Sequence, residues 1–213
     1  VSQIAVVDYG MGNLRSVAKA LEHVAKGQNI IVTANPDEIQ NADKIVFPGQ
    51  GAARDCMREL AARNLNKVVV QAAQQKPFLG ICMGMQVLLA HSEENNGVDC
   101  LGLYPGEVRK FSAQMKDQQA ERLKIPHMGW NRVKQSDAHP LWQNISQHSR
   151  FYFVHSYYMD PQDASIVAAK TDYGIEFVSA IGKDNVFAVQ FHPEKSAADG
   201  LQLLKNFSQW DGQ

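Results

Sequence analysis

Lys76-Pro77-Phe78-Leu79-Gly80-Ile81-Cys82-Met83-Gly84-Met85-Gln86 sets a cysteine between two glycines, where an apolar strand, Lys76 to Leu79, gives way to a helical run from Met85 to His91. A strained strand-to-helix turn of this kind lifts a reactive atom above the edge of a sheet. Glycines on either side keep clear the space that side chains would otherwise fill. Working outward, Gln3 to Asp8 is a short apolar run that ends at Tyr9-Gly10-Met11-Gly12-Asn13, a buried strand followed by a turn. Leu14, Val17, Ala18, Leu21, Val24 and Ala25 then recur at the spacing of an amphipathic helix. Asn29 to Thr33 and Lys44 to Phe47 read as further strands, the latter closing at Pro48-Gly49-Gln50-Gly51. Helical patterning returns at Cys56 to Leu60 and Val68 to Ala73. Strands alternating with helices of this length predict βαβ units and a parallel sheet.

Beyond residue 100 the texture changes. Gly106 to Phe111, Phe151 to Tyr158, Ser165 to Lys170, Phe177 to Ile181 and Val186 to Phe191 are β-like, with few helices between them. A last helix is expected over Asp199 to Trp210, started by the stretch from Ser196. The fold class is therefore α/β: a mostly parallel central sheet flanked by helices, with antiparallel β additions in the C-terminal half. One domain is expected over residues 1–213, with the polar stretch Ala113 to Lys124 as a mobile loop.

The chain has 213 residues, enough for one substantial core, and its 45% hydrophobic and 20% charged content is that of a globular protein. A formal net charge of −1 gives no bulk attraction to nucleic acid or to an anionic membrane. Three cysteines, Cys56, Cys82 and Cys100, are too few and odd in number for a disulfide framework, and point to a reducing compartment. No apolar stretch reaches the length of a membrane span and the start of the chain has no signal pattern, so the expected location is the cytoplasm.

Phe191-His192-Pro193-Glu194 supplies an imidazole and, two residues on, a carboxylate. On an extended chain, positions i and i+2 share a side, so Glu194 can orient His192. A thiol, a base and an orienting acid make a complete set for covalent acyl transfer. A helix beginning just after Cys82 would favour the thiolate through backbone dipoles and free N–H groups. His192 would take the proton and later protonate a leaving amine. Unpaired cysteines are commonly buried and inert, which is how Cys56 and Cys100 read. The glycines around Cys82 and the distant histidine-glutamate pair set it apart. The developing oxyanion needs donors; the Met83 amide and the Gly49-Gln50-Gly51 loop are the best sources, although the loop alone reads equally well as a mere turn. The other histidines show no metal-ligand spacing, and no metal or cofactor is expected. Tyr9 to Asn13 imitates a dinucleotide loop, but Arg15 stands where its third glycine belongs and no acidic residue closes the second strand.

Taken together, the G-x-C-x-G-x-Q pattern at Gly80 to Gln86 and the distant His192-Pro193-Glu194 resemble the class I, triad-type glutamine amidotransferase family over essentially the whole chain. The resemblance implies hydrolysis of glutamine through a γ-glutamyl thioester on Cys82, with His192 as base and acid and Glu194 as its orienter. It also implies that Gly49 to Gly51 form the oxyanion strand, and that Gln86, Gly51, Ser156 and Tyr157 hold the substrate. Asp8 to Asn13, Pro126-His127-Met128-Gly129-Trp130-Asn131 and Lys195 resemble the branch that delivers ammonia to a (β/α)₈-barrel cyclase subunit of histidine biosynthesis. That match places Asn13, Met128, Trp130 and Lys195 at the partner-facing surface and implies a heterodimer with little glutaminase activity until the partner binds its own ligand. Read bare, Met128 and Trp130 would be core residues. The chain departs from the family at Gln50, where a small apolar residue is usual, and in the length of Ala113 to Lys124. A glutaminase for a different synthase, a γ-glutamyl hydrolase or peptidase, and a non-catalytic module on the same fold are the alternatives.

Overall fold

The computed structural model describes residues 1–213. Strands β1 (Gln3–Val7), β2 (Asn29–Thr33), β3 (Lys44–Gly49) and β4 (Phe78–Cys82) lie in the order β2-β1-β3-β4, all parallel, and the strand Val186–Val189 adds in parallel to β4. Ile4 to Val7, Ile45 to Gly49 and all of β4 are buried, as near-continuous apolar runs must be when helices cover both faces of a sheet. The covering helices are α1 (Leu14–Val24), α2 (Pro36–Asn41), α3 (Ala53–Ala62) and α4 (Asn66–Gln75), with the single turn α5 (Met83–Gln86) and the last helix α6 (Ala197–Gln209). Helix α1 turns Val17, Ala18 and Leu21 inward, one stripe at helical spacing. Helix α2 was not foreseen, yet its start is written in the chain: Asn35 accepts from the Asp37 N–H at 2.9 Å and Pro36 opens the first turn.

Past Val186–Val189 the sheet turns antiparallel through Glu176–Lys183, Tyr157–Pro161 and Tyr104–Lys110. Arg150–His155 and His127–Arg132 stand apart as a two-stranded antiparallel ribbon. The α/β architecture with a parallel half and antiparallel additions is thus the one expected.

Four local readings need correction. The run from Met85 to His91 is not one helix: α5 ends at Gln86, and Leu89–Ser92 is a strand beside Tyr104–Lys110. Val87, Leu88 and Leu89 are all buried, and a short apolar run does not distinguish helix from strand. Phe151 to Tyr158 is two strands, because the chain leaves the ribbon at Ser156 and enters the main sheet at Tyr157. His192 and Glu194 are not i and i+2 of a strand: Pro193–Lys195 is a turn of 3₁₀ helix. Ala113 to Lys124 carries no strand or helix but is tied down. Met115 is buried, Leu123 N–H donates to the Met115 carbonyl at 2.9 Å, and Asp117 accepts from the N–H groups of Gln119 and Glu121.

The junction after β4 tolerates no added atom. A Cβ on Gly84 would lie 1.8 Å from the Phe47 carbonyl oxygen, and one on Gly80 would lie 2.6 Å from the Gly84 carbonyl oxygen. We expect Gly84→Ala to lower the unfolding free energy by about 3 kcal/mol, as overpacking of a rigid core does, measured by denaturant titration against Gly27→Ala, where a Cβ would meet nothing within 4 Å and the cost is only that of a side chain at φ +82°.

Candidate active site

Cys82 ends β4 with φ +55° and ψ −112°, a conformation that favours glycine. The neighbouring ladders explain what meets it. β4 pairs with β3 so that Gly49 lies opposite Cys82, and Val189 lies opposite Ile81 on the other side. The residues that follow, Gln50-Gly51 and Gln190-Phe191-His192, therefore emerge at the same sheet edge. Parallel pairing is how His192 reaches a thiol so distant in the chain.

His192 donates through Nδ1 to Glu194 Oε1 at 2.7 Å, both side chains almost wholly buried. The backbone clasps it as well. Its N–H donates to the Tyr152 carbonyl at 2.9 Å, and its carbonyl accepts from Ser196 Oγ at 2.6 Å, the same oxygen that accepts from Tyr152 N–H at 3.0 Å. Burial alone would lower the imidazole pKa, but the Cys82 sulfur and the Glu194 carboxylate together raise it to about 10. Nε2 is buried and has no hydrogen-bond partner of good geometry in the resting site.

A cleft of about 460 Å³ opens above Cys82, the size of a pocket for a small molecule. Gln50, Gly51, Cys82, Met83, Gln86, Ser156, Tyr157 and His192 all line it, so most of the residues picked from sequence converge. Gly49 lies behind, where a Cβ would be 2.4 Å from the Tyr9 hydroxyl and 2.8 Å from the Met83 Cβ. That hydroxyl donates to the Pro48 carbonyl at 2.8 Å, and a Cβ on Gly12 would meet the Gly49 nitrogen at 3.4 Å. The Tyr9-to-Asn13 turn is thus the buttress of the Pro48-to-Gly51 loop. The Gln50 carbonyl accepts from the Cys56 thiol at 3.5 Å, while the N–H groups of Gln50 and Gly51 donate to no acceptor within the protein. The Gln50 residue itself is exposed.

Two residues of the site were missed. Glu94 lines the cleft half-buried, capping the start of α3 through a 2.8 Å hydrogen bond from the Ala53 N–H; burial holds its carboxyl above the ordinary range. Nothing in the run Ser92-Glu93-Glu94-Asn95 marks it from sequence. Gln190 is fully buried and donates through Nε2 to Cys82 Sγ at 3.6 Å. Its signal was present: a polar side chain closing the otherwise apolar run from Val186. The carboxamide of Gln86 is buried too, with Nε2 donating to the Tyr157 carbonyl at 3.0 Å and to Gln190 Oε1 at 2.8 Å. Its Oε1 has no partner.

Of the four residues expected at a partner surface, Lys195 lines the cleft. Met128 is 61% and Trp130 51% exposed, against the core reading that bare composition favours. They alternate along His127–Arg132 with the inward-facing His127. Lys195 is exposed, with Nζ 5.9 Å from the Tyr152 ring, and Tyr152 meets Trp130 edge-on at 6.2 Å. Asn13 is half-buried ahead of α1, and its side chain makes no cap bond.

A cysteine, an imidazole oriented by a carboxylate, and free backbone donators in one cleft define a thiol-dependent acyl-transfer site, and the class I glutamine amidotransferase family profile matches residues 5–209. The fold is similar to that of PurLQS from Thermotoga maritima (TM-score 0.71, 18% identity, 97% of both chains) and of a solved glutamine amidotransferase (TM-score 0.71, 14% identity, 96% of this chain and 97% of that one). This chain belongs to the class I glutamine amidotransferase family. Within it, the imidazole glycerol phosphate synthase subunit HisH of Nitrosococcus oceani is 59% identical over 212 residues, 100% of this chain and 99% of that protein. HisH of Dechloromonas aromatica is 59% identical over 208 residues, 97% of this chain and 96% of that protein. Its place in the family is the HisH branch.

Beside the site, His127 and His155 are held neutral: burial lowers the first to about 4 and the second to about 3 from the ordinary 6.5. The unfolded chain therefore takes up protons first as pH falls through 6.5, and stability is lost until the folded values are reached. Urea unfolding from pH 7 to pH 4 is expected to show a falling midpoint, and His127→Phe a shallower fall.

Proposed function

We propose that this chain is the glutaminase subunit of imidazole glycerol phosphate synthase, a single glutamine amidotransferase domain that hydrolyses L-glutamine and passes the ammonia to a cyclase subunit. The observation that carries the chemistry is the convergence of Cys82 and His192 on one cleft, with Glu194 hydrogen-bonded behind the imidazole. With its pKa raised to about 10, His192 is protonated at neutral pH beside the sulfur, which leaves Cys82 as the nucleophile. The sulfur attacks the side-chain amide carbon of glutamine, and the oxyanion takes hydrogen bonds from the Gln50 or Gly51 N–H and from Met83 N–H. The C–N bond then breaks as His192 protonates the departing ammonia. Water, giving one proton to His192, attacks the thioester carbon; the C–S bond breaks, glutamic acid leaves and ionises to glutamate, and the sulfur is restored unprotonated beside protonated His192. Glu194 holds the imidazole in the orientation both transfers need.

The substrate's other groups find partners in the same cleft. Glu94 supplies a carboxylate for the α-ammonium group. Gln86 has both amide hydrogens occupied, so it can only accept, through Oε1. Ser156 and Tyr157 line the same cleft as Gln50 and Gly51.

The partner is a (β/α)₈-barrel cyclase that joins the ammonia to a phosphoribulosyl nucleotide, giving imidazole glycerol phosphate and aminoimidazole carboxamide ribotide. The curated HisH relatives support this pathway. Exposed Met128 and Trp130, with Asn13 and Lys195, form the docking face. The three thiols are free, and no helix is long and apolar enough to cross a membrane; the cytoplasm, where a catalytic thiol stays reduced, is the proposed location.

Glutamate release should be low from the chain alone and strongly stimulated by the cyclase with its nucleotide, and Cys82→Ala should abolish it throughout. Activity indifferent to the partner would discard the pathway while keeping the glutaminase. Trp130→Asp should weaken the complex more than about tenfold in a titration, as loss of a central aromatic contact does, with the unfolding midpoint of the free chain unchanged.

A further inference from the structure

One chain of hydrogen bonds, half-buried at Asn131 and running inward through the buried His127, leads from the ribbon that carries Met128 and Trp130 to the sulfur of Cys82. Asn131 Nδ2 donates to the Asp172 carbonyl at 2.8 Å and lies 3.2 Å from His127 Nε2. His127 Nδ1 is 2.8 Å from His155 Nε2, and His155 Nδ1 is 2.7 Å from the Tyr157 carbonyl. That carbonyl also accepts from Gln86 Nε2, which donates to Gln190 Oε1, and Gln190 Nε2 donates to Cys82 Sγ.

Every link has one possible polarity. A carbonyl oxygen only accepts, so the hydrogen of His155 is on Nδ1. A neutral imidazole carries a single hydrogen, so His155 Nε2 accepts and His127 must donate from Nδ1. His127 Nε2 is then an acceptor, and the group facing it is the Asn131 amide nitrogen, a donor. On the other side, the Gln86 amide places both its hydrogens on acceptors, one of which is Gln190 Oε1. The Gln190 amide is thereby left with its nitrogen toward the sulfur and cannot turn over without setting its own amide hydrogens against those of Gln86, donor against donor. His127, His155, Gln86 and Gln190 are all buried, where an unpaired polar group is costly.

We infer that Gln190 is a further catalytic residue, a donor that stabilises the Cys82 thiolate, and that the relay through Gln86, Tyr157, His155 and His127 fixes the orientation of its amide. The inference rests on Cys82 being the nucleophile. A sulfur that accepts from a fixed amide N–H carries negative charge more readily. His192 supplies and recovers the proton; Gln190 stays put and exchanges none.

Two measurements test it. Long-range ¹H–¹⁵N correlation spectra of the histidine-labelled wild-type chain at pH 7 should show both His127 and His155 as neutral Nδ1–H tautomers. An Nε2–H tautomer at either would overturn the relay. The second follows alkylation of Cys82 by iodoacetamide against pH, read by peptide mass so that Cys56 and Cys100 are scored apart. Gln190→Met removes the donor; the nearly isosteric Gln190→Glu keeps an acceptor for Gln86 but presents negative charge to the sulfur. Both profiles should move to higher pH, Glu further than Met, with a rate at pH 7 down about tenfold for loss of one hydrogen bond to a charged group. In the complex with the cyclase, kcat for glutamine should fall by about the same factor while KM moves less than about threefold. Unmoved alkylation profiles would sink the assignment. Alkylation needs no turnover, so a wild-type complex inert to glutamine would count against the glutaminase reading and leave this test standing.

Discussion

A cysteine held at positive φ is the constraint around which the rest of this molecule is arranged. For a residue with a Cβ such a backbone conformation costs of the order of 1–3 kcal/mol, and it persists only where the surroundings over-determine it. Here they do. The parallel ladder fixes Gly49 opposite Cys82, and the Gly84 backbone presses against the Phe47 carbonyl so closely that no side chain fits between. Glycines at positions 80 and 84 follow from that compression rather than from a need for flexibility. The result is a sulfur raised at the sheet edge, where the ends of the two adjacent parallel strands deliver a donor loop on one side and an imidazole on the other.

Three buried histidines near the cleft show that burial decides charge only where no charged neighbour opposes it. His127 and His155 face each other, a carbonyl and an amide, and burial keeps them neutral. His192 is also buried, but a sulfur and a carboxylate flank it and their pull exceeds the cost of desolvation. The same side chain is thus neutral at two positions and charged at the third, within one hydrophobic core.

The parallel half of the fold was legible because β1, β3 and β4 are unbroken apolar runs closed by glycine-bearing turns, and α1 has a clean stripe. Cys82, His192 and Glu194 were legible for a different reason: their chemistry requires residue types and local spacings that core packing does not. What escaped was decided across the chain. Val87 to Leu89 is apolar enough for either helix or strand, and only pairing with Tyr104–Lys110 settles it. Ser156 divides a continuous β-like run between two sheets, which periodicity does not register. Glu94 enters the cleft because Ala53 N–H draws its carboxylate there. Met128 and Trp130 look like core until the ribbon's alternation turns them outward and His127 inward.

Tyr152 joins the outer surface to His192. Its ring belongs to the exposed cluster with Trp130 and Lys195, while its peptide groups grip His192 from both sides, directly and through Ser196. The grip is made by main-chain atoms, which every amino acid but proline would present alike at that position. Side chains on the outer face are therefore at liberty to drift as a partner's surface drifts, without the imidazole losing its footing. A lineage can renegotiate whom this protein touches while inheriting unchanged the setting of His192.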